Sequence, residues 1–249
     1  MAKRARALRT AVIFHEPSLP YKSIVQRWTE SRGHPAPDVY RVSNETPRLP
    51  DPKKYDLIVG FGAAPSVYDH AEHPWIKDER RVLSNAIDQG KAVVGICFTA
   101  QQLAFQLGGG VEHKNPSIRG LYPIHLTEEG RKSSVFPKNP SQLNAIHSFE
   151  WALRESPGSA VTLRGEHGPI AFEMHGGRVV GILVHLEAHE SEMEAKRKQH
   201  EKFVQTGLFT QEQMDATRQG VIKHGQENNE YFMKLLDNIV TRHVHPRQR

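Results

Sequence analysis

The chain contains a single cysteine, Cys97, which lies between a predicted strand and a predicted helix, a position typical of a nucleophile. The apolar run at residues 92–96 predicts a buried strand, and residues 100–107 predict a helix. A side chain at such a turn projects from the carboxyl end of the strand, beside the first turn of the helix. Helix N-termini carry free N–H groups and partial positive charge, so they stabilise a thiolate or an oxyanion. Cys97 is therefore a candidate nucleophile, although a buried cysteine that only packs would show the same pattern.

A cysteine nucleophile needs an imidazole as proton donor and base, and the imidazole needs an acceptor that orients it. His185 and Glu187 fit these roles. They follow a predicted buried strand at residues 178–184, so they should lie at the carboxyl edge of the sheet. Their i, i+2 spacing on extended chain puts both side chains on one side, which lets Glu187 reach the imidazole.

A metal site is the alternative interpretation of the same segment. His185 and His189 have the i, i+4 spacing that suits zinc on a helix. A zinc protease motif also needs a glutamate directly after the first histidine, and here it comes two residues later. We therefore expect no metal.

The elements that must position these residues alternate between strand and helix up to residue 110. Strands are predicted at 9–14, 38–42 and 55–60, with helices at 21–32 and 78–89. This alternation predicts a three-layer α/β/α fold with a mostly parallel central sheet. Further strands are predicted at 122–126, 144–147, 160–163 and 170–174, either as antiparallel additions to the sheet edge or as a small second sheet.

The last part of the chain has a helical and charged composition. We expect residues 1–189 to form one domain and residues 190–249 a C-terminal helical extension packed on it. One helix is predicted at 190–205, and Thr210 with Gln213 predicts a capping box for the next. The last helix has one apolar face, formed by Phe232, Leu235, Leu236, Ile239 and Val240. The extension could cover the sheet, form a docking or homodimer surface, or act as a lid near the site.

Composition limits the class of protein. The chain has 249 residues, 37% of them hydrophobic, which is enough for a sizeable core. A single cysteine excludes an intramolecular disulfide framework, and no apolar run is long enough for a signal segment or a membrane span. We expect a cytoplasmic protein with no membrane contact.

The net charge of +5 comes largely from the ends of the chain, and no basic motif with interleaved aromatics accompanies it, so nucleic-acid binding is not expected.

Four segments resemble motifs of the class I glutamine amidotransferase family, which uses a Cys-His-Glu triad. Residues 95–101 (Gly-Ile-Cys-Phe-Thr-Ala-Gln) resemble its nucleophile motif, Gly-[Ile/Val]-Cys-x-Gly-x-Gln. Residues 181–187 resemble the strand that ends in Phe-His-Pro-Glu, and residues 62–66 (Gly-Ala-Ala-Pro-Ser) resemble its early Gly-Gly-Pro-x-Ser loop. Residues 147–149 (His-Ser-Phe) match a His-Ser pair before the last strands. The motifs occur in the family's order between residues 9 and 187.

The resemblance implies a flavodoxin-like sheet and a set of roles at one site. Cys97 would attack the side-chain amide of glutamine, and the N–H groups of Phe98 and Ala63 would hold the oxyanion. His185 would protonate the departing ammonia, and Glu187 would fix the tautomer of the His185 imidazole.

Other positions would bind the substrate by the same resemblance. They are Gly62, Gln101, His147, Ser148 and Phe149. No cofactor is implied. The chain has no Walker phosphate-binding loop and no recognisable synthetase domain, so an amidotransferase role would need a synthetase partner that receives the ammonia or an acceptor substrate bound nearby.

The chain departs from the family pattern beside the nucleophile. In the nucleophile motif, Thr99 replaces the usual glycine and Ala100 replaces a frequent histidine. In the early loop, Ala63 and Ala64 replace glycine and proline. In the last motif, Leu186 replaces the proline between the histidine and the glutamate. We expect the β-branched Thr99 to narrow the glutamine pocket or to block a strained turn at the nucleophile. Two alternatives to a glutaminase stay open: an enzyme acting on another amide or a γ-glutamyl compound, and a degenerate domain that only binds a partner.

Overall fold

The computed structural model describes residues 7–15, 22–43 and 48–245. Within these ranges nine strands form one mixed sheet, in the order β2-β1-β3-β4-β9-β8-β7-β5-β6. The strands are β1 (Thr10–Phe14), β2 (Asp38–Arg41), β3 (Leu57–Gly60), β4 (Ala92–Ile96), β5 (Val111–Leu126), β6 (Gln142–Leu153), β7 (Ala160–Gly165), β8 (Gly168–Met174) and β9 (Val179–Ile182). The start of the predicted first helix and most of the basic residues at the two ends lie outside the described ranges.

The parallel half of the sheet places the predicted site at one edge. β2, β1, β3, β4 and β9 are parallel neighbours, and all but the edge strand β2 are buried at every position. Burial on both faces explains why these strands are continuous apolar runs. The register pairs Gly60 with Gly95 and Gly95 with Gly181, so β3, β4 and β9 end side by side. The segments that follow these strands therefore meet.

The second half of the sheet is antiparallel, and it joins the same sheet rather than forming a second one. β5 and β6 are much longer than predicted. Asn115, Pro116 and Gly120, which are residue types that favour turns, lie within β5. The pairing continues past them through an irregularity between His113 and Ile118, because a bulge leaves residues unpaired and so tolerates proline.

Seven α-helices accompany the sheet in the described ranges. They are α1 (Ile24–Ser31), α2 (Trp75–Asp88), α3 (Phe98–Gln106), α4 (Glu128–Lys132), α5 (Glu190–Ala195), α6 (Arg197–Gln205) and α7 (Gln211–Ile239), with a 3₁₀ turn at Pro52–Lys54 and a π turn at Val240–Val244. The single helix predicted over 190–205 is wrong. It breaks at Lys196, whose φ of −95° and ψ of 11° depart from helical values. The residue types at the break favour a helix, so local propensity does not explain it.

The long helix α7 joins the extension to the core of the sheet. Thr210 and Gln213 form the predicted capping box at its start. Its predicted apolar face, Phe232 to Ile239, is buried in the main core, and Val240 continues it. The indole of Trp28 on α1 donates a hydrogen bond of 2.8 Å to Asp237 on α7. The domain division at residue 189 stays a prediction, and none of the helices in the described ranges has the length and apolarity of a membrane span.

Candidate active site

Cys97 lies at a strained turn between β4 and α3. Its φ is 51° and its ψ is −109°, a conformation that L residues rarely adopt. Its N–H donates to the carbonyl of Ile182 at 2.8 Å, and its carbonyl accepts from the N–H of Gln101 at 3.0 Å. These bonds tie the turn to β9 on one side and to α3 on the other. The predicted nucleophile turn is therefore present.

Thr99 stabilises this turn from behind. It is fully buried, and its hydroxyl lies 2.9 Å from the carbonyl of Phe61 and 3.1 Å from Oε1 of Glu79. A Cβ on Gly60 would lie 2.5 Å from the Thr99 side chain, so Thr99 fills space that only glycine leaves open. The expectation that Thr99 narrows the pocket or blocks the turn is wrong, because its side chain points away from the cavity.

The three predicted catalytic residues lie together. Nδ1 of His185 is 2.7 Å from Oε1 of Glu187. A Cβ placed on Gly62 would lie 3.6 Å from Sγ of Cys97 and 3.6 Å from Cε1 of His185, so both side chains border the same gap. The backbone N–H of His185 donates to the carbonyl of Ile146 at 3.0 Å, which holds the segment after β9 against β6.

The charges around His185 favour its protonated form. Burial by itself lowers the pKa of His185. The charges of Glu187 and Cys97 and the hydrogen bonds to both residues raise this pKa by more than burial lowers it, so the pKa of His185 lies well above its usual value. An imidazolium beside the cysteine stabilises a thiolate and can deliver a proton to a leaving group. The arrangement can therefore support nucleophilic attack followed by proton transfer.

The cavity over Cys97 brings together most of the predicted binding residues. Gly62, Ala63, Gln101, Ser148 and Phe149 all line it. Nε2 of Gln101 donates to the carbonyl of Trp151 at 2.7 Å, which fixes the side-chain amide in the cavity wall. The ring of Phe98 is buried away from the cavity, but its N–H lies at the first position of α3, where a helix offers no intrahelical acceptor.

His147 does not line the cavity. It is fully buried beside the rings of Tyr122, Phe149 and His167, and among the described residues neither of its ring nitrogens has a hydrogen-bond partner. Burial lowers the pKa of His147 to about 3, with smaller contributions from His167 and His185. A direct contact of His147 with substrate is not supported by this position.

A second histidine–carboxylate pair, not predicted from the sequence, supports the loop after β3. Nε2 of His15 lies 2.7 Å from Oε2 of the fully buried Glu79, and Nδ1 of His15 lies 3.1 Å from the carbonyl of Gly62. Glu79 occupies an amphipathic helix where glutamate is normally exposed, so the sequence carries no signal for its burial. The pair fixes the loop that contains Ala63, one of the proposed oxyanion donors.

The helical zinc geometry considered for His185 and His189 is absent. Residues 185–189 are not helical, and Nδ1 of His189 instead accepts from the N–H of Ser191 at the start of α5. Across the part of the chain that the structure describes, His, Cys, Asp and Glu side chains form no group of three that could hold a metal ion.

Comparison with known proteins supports the resemblance seen in the motifs. No family model matches the chain. The glutamine amidotransferase-like protein YfeJ of Salmonella typhimurium is 26% identical over 183 residues, which cover 72% of this chain and 76% of YfeJ. A glutamine-hydrolysing GMP synthase of Streptomyces avermitilis is 30% identical over 106 residues, but these span 42% of this chain and only 20% of the synthase.

A glutamine amidotransferase of Thermotoga maritima has the same fold, with a TM-score of 0.82, 16% identity, and coverage of 94% of this chain and 98% of that one. The fold is thus that of the class I glutamine amidotransferases. The chain resembles the glutamine amidotransferase-like proteins of this class in sequence as well.

We predict that Thr99→Val destabilises the protein. Valine matches the shape of threonine but removes the hydroxyl, whose single proton can be donated to the carbonyl of Phe61 or to the carboxylate of Glu79, so one buried hydrogen bond is lost. The free energy of unfolding should fall by about 1–3 kcal/mol, measured by chemical denaturation. Thr206→Val, at an exposed position at the end of α6, is the matched control. Equal losses in the two variants would contradict the role assigned to Thr99.

We predict that His147 makes stability depend on pH. Its pKa is about 3 in the folded state, against about 6.5 when unfolded, so the unfolded chain binds more protons between these values. Stability should therefore fall as the pH is lowered through this range. Between pH 7 and pH 5 the wild type should lose about 2 kcal/mol more than His147→Phe, measured by denaturation at each pH. His147→Gln should flatten the dependence equally, and parallel curves for all three proteins would refute the prediction.

Proposed function

We propose that the protein hydrolyses a side-chain amide, that of glutamine or a related γ-glutamyl compound, with Cys97 as the nucleophile. The observation that carries this proposal is the placement of Cys97, at a strained turn, next to the His185–Glu187 pair at the edge of a cavity. The similarity to glutamine amidotransferases supports an amide as the substrate.

The reaction follows from the positions of these groups. The thiolate of Cys97 forms a bond to the amide carbon, and the N–H groups of Phe98 and Ala63 bind the resulting oxyanion. The carbon–nitrogen bond then breaks, and His185 gives its proton to the leaving nitrogen, which departs as ammonia when glutamine is the substrate. Water attacks the thioester while His185 accepts a proton, and glutamate and the free thiol result.

The residues that line the cavity can bind the rest of the substrate. The amide of Gln101 and the backbone at Ser148 and Phe149 offer neutral donors and acceptors, and Gly62 leaves the space beside Cys97 open. His147 lies behind Phe149 and would act only by shaping this wall.

Ammonia released in this way needs an acceptor. The similarity to a glutamine-hydrolysing GMP synthase supports a synthetase partner that receives the ammonia. We propose that this transfer takes place in the cytoplasm. A degenerate domain without activity is less well supported, because the backbone strain at Cys97 and the hydrogen bond between His185 and Glu187 are both present.

The first test is release of glutamate from glutamine by the purified protein, with Cys97→Ser alongside. We expect the serine variant to lose at least about 10³-fold in rate, because serine is a far weaker nucleophile and the imidazolium would no longer face a thiolate. Where a partner is needed for turnover, a glutamine-like electrophile should still label Cys97 in the wild type. Wild-type rates in Cys97→Ser, or neither turnover nor labelling in the wild type, would overturn the proposal.

A second test concerns the pH dependence of the rate. Glu187 raises the pKa of His185, so the imidazolium persists to higher pH than a free histidine and activity is lost as the pH rises through that pKa. In Glu187→Gln the basic limb of the kcat/KM profile should move to lower pH, and the rate should fall about 10²–10⁴-fold. Glu212→Gln, at an exposed position near the start of α7, should leave the profile unchanged. A basic limb that stays in place would contradict the assigned role of Glu187.

A further inference from the structure

The cavity that contains Cys97 is larger than glutamine requires. Its volume is about 580 Å³. Glutamine has about ten non-hydrogen atoms, which occupy less than about 300 Å³ even when each is given the volume of a whole water molecule, about 30 Å³. A large part of the cavity would thus stay unfilled in a complex with glutamine.

The C-terminal extension provides the wall across the cavity from the sheet. We call this wall the roof, and its apolar members are Met193, Phe203, Leu208, Phe209 and Met214. The rings of Phe203 and Phe209 are stacked, with centroids 6.1 Å apart and an interplanar angle of 18°. All five residues belong to the C-terminal extension and line the same cavity as Cys97.

Two charged pairs that line the cavity lie near the roof. Arg119 donates to Glu150 at 2.9 Å, and its guanidinium lies 5.1 Å from the centre of the Phe209 ring. Nζ of Lys196 lies 3.1 Å from Oε1 of Glu192. Because these charges compensate one another, the unfilled part of the cavity favours a neutral and apolar group.

We propose, on the basis of the function proposed above, that the preferred substrates are γ-glutamyl amides that carry an apolar group on the amide nitrogen. The glutamyl part binds beside Cys97 and Gln101, and the apolar group lies under the roof. Cys97 forms a bond to the γ-glutamyl carbonyl carbon, the carbon–nitrogen bond breaks, and His185 protonates the leaving amine. Water then releases glutamate from the thioester, so the products are glutamate and an apolar primary amine.

The test compares glutamate release from glutamine, from γ-glutamyl methylamide and from the γ-glutamyl amide of 2-phenylethylamine. We expect kcat/KM to rise with the size of the apolar group and to be at least about tenfold higher for the phenylethyl amide than for glutamine, since each methylene in an apolar pocket is worth about tenfold or more. In Phe203→Ala the ratio of kcat/KM for the phenylethyl amide to that for glutamine should fall at least tenfold.

Two further variants make the result decisive. Leu208→Ala removes an exposed roof residue that the fold does not need, so it reports on the roof even where Phe203→Ala folds poorly. Ile222→Ala, on the exposed face of α7 and not on the roof, should leave the ratio unchanged.

The outcomes separate this inference from the function on which it rests. Glutamate release from glutamine that equals or exceeds release from the phenylethyl amide overturns the substrate class but leaves the glutaminase. Equal losses on both substrates in the roof variants also overturn it, because the roof would then only exclude water. Absence of Cys97-dependent release from all three amides overturns the proposed function and this inference together.

Discussion

The site depends on one constraint, the left-handed backbone of Cys97. A non-glycine residue at φ 51° is held in place only when its surroundings leave no alternative. Here the bond from its N–H to Ile182 fixes it to β9, and the packing of Thr99 against Gly60 fixes the following turn to β3. The turn places Cys97 directly before the first turn of α3, where the helix N-terminus carries partial positive charge. This turn places the side chain of Cys97 at the gap beside Gly62 that His185 also borders.

Two histidine–glutamate pairs lie on opposite sides of Gly62. On one side His185 and Glu187 face Cys97, and on the other His15 and Glu79 hold the Gly62 carbonyl. The second pair is buried, so it forms a rigid backing for the loop whose N–H groups would bind the oxyanion. A preorganised loop matters because electrostatic stabilisation works best when the donors need not move during the reaction. The departure from the family motif at Thr99 belongs to this backing, since its hydroxyl lies beside Glu79.

The helical extension is part of the same architecture. The buried face of α7 joins the core of the sheet, while α5, α6 and the turn before α7 form the roof over Cys97. The same segment therefore contributes both stability and the walls of the cavity. Under the function and substrate class proposed above, the extension would limit the size of the substrate and the sheet would position the reacting groups.

The sequence by itself determined the parallel half of the sheet, the turn at Cys97 and the His185–Glu187 pair. Buried parallel strands are continuous apolar runs, and a strand end fixes where the next residues project, so these features are local. The capping box at Thr210 is local for the same reason. The length of β5 and β6 was decided by pairing across an irregularity, and the break at Lys196 does not follow from the helix propensities around it. Only the tertiary structure revealed the buried Glu79, the position of Thr99 behind the site, His147 outside the cavity and the roof. Each of these depends on contacts between residues far apart in the chain, which residue types and spacing do not encode.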